Sequence, residues 1–251
     1  MKNKKIKKEL NPSKEGDALK FKDIKIIKKS NGVKYSIRKD RRRYFFPSEW
    51  ILFINSIKNK KHKFFFITSL HTGGRIMEVL NLKFKDIDEK RQSLTFNTIK
   101  QRTARKNYSS SGNKRSFFVA SNFFKEYKSY VRGIKINPEE YIFLNNKKLP
   151  KNYENLLNKE KQKYYISRIV CYSQMLKNKL KRIGVKDYYN FSPHNIRKTY
   201  GMWMRIFNKE MSELCYRMGH DLDTFMNHYG SSLIFTEEER RKIQKIMGDV
   251  K

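Results

Sequence analysis

The most reactive arrangement in the chain lies near its C-terminal end, where Met218-Gly219-His220 is followed by Tyr229, nine residues after the histidine. A phenol can attack a phosphodiester and hold the cleaved DNA end as a phosphotyrosine, provided that its surroundings activate it. Cationic side chains that could assist this chemistry occur in an ordered series: Arg75, Lys100, His194, Arg197 and His220. Together with Tyr229, these positions predict the cleavage and rejoining of DNA strands.

The chain carries a large positive charge for its size. Its 251 residues include 58 Lys and Arg against 24 Asp and Glu, which gives a formal net charge of +34. Such an excess indicates a polyanionic partner, and the phosphate backbone of double-stranded DNA is the simplest one. Hydrophobic residues make up 38% of the chain, which is enough for a buried core, so a purely disordered basic protein is not expected.

Membrane and secretory roles do not fit the sequence. The longest apolar run, from Phe64 to Leu70, is too short to cross a bilayer, so no membrane contact is predicted. The basic N-terminal residues contain no apolar signal segment, and Cys171 and Cys215 stand far apart without partners at metal-ligand spacing. These features predict a cytoplasmic protein that is associated with the nucleoid.

Phosphoryl transfer also needs groups that stabilise the charge of the reacting phosphate. The sequence has no GxxxxGK[ST] loop for a nucleoside triphosphate and no cluster of Asp and Glu for magnesium. We therefore predict neither a cofactor nor a metal, and we assign the stabilisation to Arg, Lys and His side chains. Arginine suits this task best, because its planar fork donates two hydrogen bonds to one phosphate and keeps its charge at any working pH.

Two of the arginines lie in patterns that would position them. Two predicted helical segments are separated by Thr72-Gly73-Gly74, and these glycines permit a tight bend that directs Arg75 into a cleft. Glu78 follows Arg75 by one helical turn and can brace it. His194 and Arg197 are three positions apart near a helix start, so both can point to one site.

The remaining pattern predicts a mainly α fold with a small antiparallel β-sheet. Alternating residues favour a strand from Ser93 to Ile99 and a return strand from Arg115 to Val119, and Asn31-Gly32 favours an earlier hairpin. Helical periodicity is found at 47–57, 62–70, 75–82, 122–131, 160–183, 193–207, 211–218 and 236–247.

Three segments together resemble the tyrosine recombinases, which include the phage-type integrases and the Xer proteins. Thr72-Gly73-Gly74-Arg75-Ile76-Met77-Glu78, with Asp86-Ile87 further on, is similar to the first arginine box of that family, TGxRxxExxxLxxxDI. Ser192-Pro193-His194-Asn195-Ile196-Arg197 resembles the second box, and Met218-Gly219-His220 with Tyr229 resembles the third. The resemblance covers roughly residues 45–235 and implies the catalytic-domain fold of the family.

Carried over to this sequence, the resemblance implies a role for each residue. Arg75 and Arg197 would clamp the scissile phosphate, while His194 and His220 would donate hydrogen bonds and assist proton transfer. Tyr229 would attack, which forms a 3′-phosphotyrosine and frees a 5′-hydroxyl. The family also uses a lysine in the turn of a β-hairpin as the acid for the 5′-oxygen. Lys100 fits this role best because it directly follows the predicted strand, and Lys106 on the same loop is the alternative.

We expect three parts along the chain: a basic arm with a β-hairpin at 1–44, the catalytic domain at 45–235, and a C-terminal helix at 236–251 that could contact a neighbouring protomer. Cations expected to contact DNA lie before the catalytic domain and in the loop between the strands: Arg38, Lys39, Arg41, Arg42, Arg43, Arg102, Arg105 and Lys106. The Lys- and Asn-rich composition is similar to that of archaeal and archaeal-virus members.

The resemblance favours a site-specific recombinase, most simply the integrase of a mobile element, that acts as a tetramer on two DNA duplexes. Two other hypotheses remain open. A nicking-closing topoisomerase of type IB uses the same chemistry but works alone. A non-catalytic DNA-binding protein could retain the fold without the reaction.

Overall fold

The computed structural model describes residues 24–28, 34–38, 44–97, 114–156, 158–207, 209–219, 221, 222, 225 and 235–249. Its helices are α1 (Pro47–Asn55), α2 (Lys60–Thr72), α3 (Ile76–Leu80), α4 (Ser121–Val131), α5 (Asn158–Arg182), α6 (Pro193–Met204), α7 (Met211–Met218) and α8 (Glu237–Met247). Its strands are β1 (Ile24–Lys28), β2 (Lys34–Arg38), β3 (Ile87–Asp88), β4 (Ser93–Asn97) and β5 (Lys114–Phe118). The predicted fold class, mainly α with a small antiparallel sheet, is confirmed.

Helix α2 lies at the centre of the fold because it is apolar on nearly every side. Phe64, Phe65, Phe66 and Leu70 are all buried, and the helix contacts both α4 and α6. The ring of Phe65 stacks on Tyr172 of α5, with 3.6 Å between the ring centroids. This packing leaves the C-terminal end of α2, where the chain bends at the two glycines, in contact with the rest of the core.

The sheet has the order β3-β4-β5, and both pairings are antiparallel. Leu94 of β4 pairs with Phe117 of β5, and Phe96 pairs with Arg115. Side chains alternate along β5, so that Arg115 and Phe117 face inward while Lys114 and Ser116 are exposed. The sequence did not predict β3, which is only two residues long.

The N-terminal strands β1 and β2 pair with each other in antiparallel register, from Ile24 opposite Arg38 to Lys28 opposite Lys34. They correspond to the hairpin that Asn31-Gly32 predicts. Among the described residues, no helix is long and apolar enough to cross a membrane.

The C-terminal helix α8 packs on its own chain. Ile243 and Met247 are buried, and the helix contacts α1 and α4. Asn122 Nδ2 donates to the carbonyl oxygen of Lys245 at 2.9 Å. The sequence expectation that this helix contacts a neighbouring protomer stays a prediction, and the face available for such a contact is its charged one, with Arg241 among its exposed residues.

Candidate active site

The bend between α2 and α3 depends on two glycines that are surrounded by other side chains. Gly73 ends α2 in the left-handed region at φ +59°, where glycine is favoured. A Cβ atom at Gly73 would overlap the ring of Tyr200, and one at Gly74 would overlap the ring of Phe96. The chain can therefore pass between α6 and β4 only because neither residue has a side chain, and this passage brings Arg75 to the surface of the core.

Arg75 is held at the start of α3 by Glu78. The Glu78 Oε2 atom accepts a hydrogen bond from the backbone N–H of Arg75 at 2.8 Å, and Oε1 accepts one from Arg75 Nη1 at 3.0 Å. The side chain of Glu78 is only 2% exposed, whereas that of Arg75 is 37% exposed. The Arg75 side chain thus stays partly exposed while a buried carboxylate holds its Nη1 atom and its backbone N–H.

Arg197 belongs to α6, which is anchored to the segment before α1 by two hydrogen bonds. Thr199 Oγ1 accepts a hydrogen bond from the backbone N–H of Phe45 at 2.9 Å, and Trp203 Nε1 donates to the Phe45 carbonyl at 3.1 Å. Arg197 is 1% exposed, and its Nη1 donates to the carbonyl oxygen of Gly73 at 2.6 Å. His194, one turn earlier on the same helix, is exposed.

Both arginines reach the C-terminal end of α7. Arg75 Nη2 donates to the carbonyl oxygen of Gly219 at 2.7 Å, and Arg197 Nη2 donates to that of Met218. Gly219 ends α7 in the left-handed region at φ +60°. Three segments that are distant in sequence therefore meet at one point, and this point lies directly before His220.

The structure brings together Arg75, Glu78 and Arg197 of the predicted site. Other predicted site and DNA-contact residues lie outside the described residues: Lys39, Arg41, Arg42, Arg43, Lys100, Arg102, Arg105, Lys106, His220 and Tyr229. Arg38 is the last residue of β2. Their roles therefore stay predictions.

One residue of this site was missed by the sequence analysis. Arg115 of β5 is 7% exposed, and its Nη2 donates to Glu78 Oε1 at 2.7 Å. Burial lowers the pKa of the Arg115 guanidinium, and the nearby Glu78 carboxylate opposes that change, so the group remains charged at neutral pH. The signal that could have revealed it is an arginine at an inward position of an otherwise apolar strand.

Arg75, Glu78 and Arg115, called here the Glu78 cluster, carry one net positive charge because two guanidiniums share a single carboxylate. Arg197 adds a further positive charge at the same point. Such an arrangement is suited to bind a phosphate group and to stabilise the additional charge that develops in its transition state. In the part of the chain that the structure describes, no three His, Cys, Asp or Glu residues lie together as a metal site would require.

The family of the chain follows from its sequence. A profile of the phage integrase family matches residues 49–233, so the chain belongs to that family. No curated protein sequence matches it.

Solved structures of tyrosine recombinases have the same fold. XerA recombinase is similar with a TM-score of 0.54 and 16% identity, over 81% of this chain and 64% of the XerA chain. The Tn1549 transposon integrase, solved in complex with transposon right-end DNA, is similar with a TM-score of 0.56 and 16% identity, over 81% of this chain and 65% of the integrase chain. XerH recombinase bound to its difH substrate gives 0.50 and 14%, over 81% and 56% of the two chains. This chain thus spans less than two thirds of the length of these proteins.

Proposed function

We propose that the protein is a site-specific DNA recombinase that cleaves and rejoins strands through a covalent 3′-phosphotyrosine at Tyr229, without a metal or nucleotide cofactor. The integration of a mobile element is the role that best fits the family. The partner is double-stranded DNA, and we expect the protein to act in the cytoplasm on the nucleoid.

The observation that carries this proposal is the meeting of three sequence boxes at the end of α7. Arg75 and Arg197 both donate to backbone carbonyls of the two residues that precede His220. A purely structural use of two buried or half-buried arginines would not require that they converge on the segment leading to a histidine and a tyrosine. The convergence supports a common substrate group, and a phosphodiester is the group that two arginine forks fit.

In the proposed reaction, the Tyr229 oxygen attacks the scissile phosphorus and forms the phosphotyrosine bond as the bond to the 5′-oxygen breaks. Arg75 and Arg197 neutralise the non-bridging oxygens, and His194 and His220 donate hydrogen bonds to them or assist the transfer of the tyrosine proton. The ordinary pKa of tyrosine is about 10, so the positive field of these groups is needed at neutral pH. Lys100 or Lys106 gives the proton that the departing 5′-oxygen takes up.

The proposed assembly contains four protomers on two DNA duplexes. The Tn1549 integrase and XerH are described as complexes with DNA, which supports a DNA partner for this chain. The tetramer rests on the family resemblance alone. Cross-linking on a duplex that carries the recombination site would distinguish four protomers from one.

The test is covalent capture on a nicked duplex that covers the DNA flanking the gene. We expect the wild-type protein to become attached to the 3′-phosphate, and Tyr229→Phe to lose the attachment while still binding the duplex. Tyr216→Phe is the matched control, because Tyr216 is a half-exposed tyrosine near the C-terminal end of α7, where the two arginines meet. Attachment that persists in Tyr229→Phe would show that the nucleophile is wrongly assigned.

Three further measurements test for a metal and separate the open hypotheses. Capture that continues in EDTA is expected if no metal takes part. Relaxation of supercoiled plasmid by a monomer, without strand exchange between two duplexes, would show that the protein is a topoisomerase of type IB and not a recombinase. Binding without any attachment by the wild type would leave a non-catalytic DNA-binding protein.

A further inference from the structure

Arg115 occupies a position where an apolar residue would be expected. It faces inward from β5, opposite Phe96 of β4 and two residues before the buried Phe117. Its guanidinium lies over the ring of Phe96, with 5.9 Å between Cζ and the ring centroid. Burying a charged group is costly unless it is paired and hydrogen-bonded, so the presence of this arginine in the core requires a physical reason.

Its partner is the carboxylate that also holds Arg75. Glu78 Oε1 accepts from Arg115 Nη2 at 2.7 Å and from Arg75 Nη1 at 3.0 Å. Because Oε2 already accepts from the backbone N–H of Arg75, Oε1 is the oxygen that the two guanidiniums share, and its bond to Arg115 limits how far it can turn toward Arg75. The orientation of Arg75 is therefore set in part by Arg115, although the two arginines come from different elements.

Arg115 also contacts the end of α7. Its Nη1 atom fills the space in which a side chain at Gly219 would stand. Gly219 offers its carbonyl oxygen to Arg75 Nη2 at 2.7 Å and directly precedes His220. The Arg115 guanidinium thus supports Gly219, whose carbonyl oxygen accepts from Arg75. Through Glu78 it also fixes the Arg75 guanidinium, which is the donor of that hydrogen bond.

Within the described part of the chain, the Nε and Nη1 atoms of Arg115 are buried and have no hydrogen-bond partner. A buried ion pair contributes little stability compared with apolar packing, and unpaired buried N–H groups reduce it further. Stability alone is therefore a poor reason for an arginine at this position.

We propose that Arg115 is a positioning residue of the phosphate site: through the shared carboxylate of Glu78 it sets the direction of the Arg75 guanidinium, and through Gly219 it supports the turn that leads to His220. This inference rests on the proposed function. In the absence of Arg115, Glu78 pairs with Arg75 alone and draws its guanidinium away from the phosphate, while the charge of Arg75 and the DNA-binding surface remain.

The test compares Arg115→Met with Arg217→Met. Arg217 is a matched control because it is a buried arginine at the same contact of β5 with α7, where it pairs with Glu213 and not with the Glu78 cluster. We expect Arg115→Met to form the covalent complex roughly 10²-fold more slowly than the wild type with unchanged DNA affinity, as expected for a misdirected transition-state donor. Arg115→Lys keeps the charge but not the planar guanidinium, and we expect its rate to lie between those of Arg115→Met and the wild type. Arg217→Met is expected to react at the wild-type rate.

Two altered substrates identify which step is affected. A methyl group in place of one non-bridging oxygen removes the charge that Arg75 would neutralise. On this substrate, the ratio of the wild-type rate of covalent-complex formation to that of Arg115→Met should therefore be at least tenfold smaller. Sulfur in place of the bridging 5′-oxygen makes a better leaving group and should leave this ratio of rates unchanged. Rescue by sulfur alone, or equal defects on all substrates, would overturn the proposal.

A measurement without DNA keeps the inference testable if a variant reacts poorly for other reasons. The Nε–H signal of Arg75 in a ¹H–¹⁵N spectrum, assigned with Arg75→Lys, should shift in Arg115→Met and stay in place in Arg217→Met. An unmoved signal in a folded Arg115→Met protein would refute the positioning role. Absence of the covalent complex in the wild type would instead contradict the proposed function, and the spectrum would still decide on Arg115.

Discussion

Two buried arginines make reciprocal contacts between β5 and α7, and their surroundings differ. Arg115 extends from β5 to Gly219 at the end of α7. Arg217 extends in the opposite direction, from α7 to the carbonyl oxygen of Phe118 at the end of β5, where its Nη1 donates at 2.9 Å. Each is paired with one glutamate, Glu78 for Arg115 and Glu213 for Arg217, so the kind of ion pair is the same on both sides.

The difference lies in how well water can reach each group of charges. Arg217 donates from Nε and Nη2 to Glu213, whose side chain is 35% exposed, and from Nη1 to a backbone oxygen. Arg115 shares a 2% exposed carboxylate with a second arginine. Glu213 is shared as well, because Lys209 Nζ lies 3.6 Å from its Oε2, but this group is partly hydrated. The Arg115 side, in contrast, retains its positive charge in a desolvated place. An excess of buried charge of one sign is what an anionic ligand would compensate.

The largest predicted effect is the loss of the shared carboxylate. Glu78→Gln leaves Arg75 and Arg115 next to each other without an anion, and we expect the free energy of unfolding to fall by about 3 kcal/mol. Glu213→Gln should cost at most about 1 kcal/mol, because Glu213 is partly exposed and water can replace it. Chemical denaturation of both variants at neutral pH measures the difference.

Equal losses for the two glutamate variants would show that the two sides are equivalent and would remove the basis of the comparison. The stability of the double variant Glu78→Gln/Arg115→Met tests the repulsion between the two arginines directly. We expect the double variant to be less destabilised than the sum of the single ones, because removing Arg115 relieves the repulsion that Glu78→Gln creates. Additive losses would mean that Arg75 turns to solvent and no longer contacts Arg115.

The parts of this arrangement that lie close together in sequence could be predicted, and those that depend on distant contacts could not. The Gly73-Gly74 bend and the proximity of Glu78 to Arg75 follow from local spacing. Arg115 was taken only as the start of a return strand, because its partner Glu78 lies 37 residues earlier and no periodicity links them. That α8 caps the core was one of the two roles open from the sequence, but the elements it covers, α1 and α4, could not be predicted, since an amphipathic helix does not reveal which apolar surface it covers.

The next effect concerns the close approach of Arg115 to α7. Gly219→Ala places a methyl group at φ +60° and displaces the Arg115 guanidinium, and we expect a loss of about 2 kcal/mol. Gly133→Ala is the control, since Gly133 has φ +80° and no described atom lies within 4 Å of the added Cβ. It should cost about 1 kcal/mol from backbone strain alone.

Thermal unfolding of the two alanine variants separates strain from displacement. Covalent capture adds a second measurement, because Gly219→Ala should reproduce the slow reaction of Arg115→Met, whereas Gly133→Ala should not. Identical stability losses and identical rates would show that Arg115 moves aside freely and does not support the turn.

A smaller effect is expected on the opposite side of the comparison. Arg217→Met removes the hydrogen bond to Phe118 and the pair with Glu213, but Glu213 can become hydrated and the methionine stem still fills the space. We expect a loss of about 1.5 kcal/mol, measured by denaturation with urea. A loss as large as that of Glu78→Gln would mean that Arg217 carries an equally uncompensated charge network.

The smallest effect extends the comparison to a buried base that is paired with no carboxylate of the described residues. His71 lies at the end of α2, and burial lowers its pKa to about 4, so it stays neutral in the folded protein. Its Nδ1 atom has no hydrogen-bond partner among the described residues. Because the unfolded state has a pKa near 6.5 and binds the proton first, this histidine costs no stability above that pH and progressively more as the pH falls toward 4.

At pH 5.5 the cost from His71 is about 1 kcal/mol relative to pH 7.5. His71→Met, which cannot take up a proton, should therefore lose about 1 kcal/mol less than the wild type between these two pH values. His62 is the control on the same helix, since it is only partly buried and its pKa is also lowered, so His62→Gln should change the pH dependence less. An unchanged pH dependence in His71→Met would show that His71 becomes protonated within the fold, where a nearby anion would have to pair with it as Glu78 pairs with Arg115.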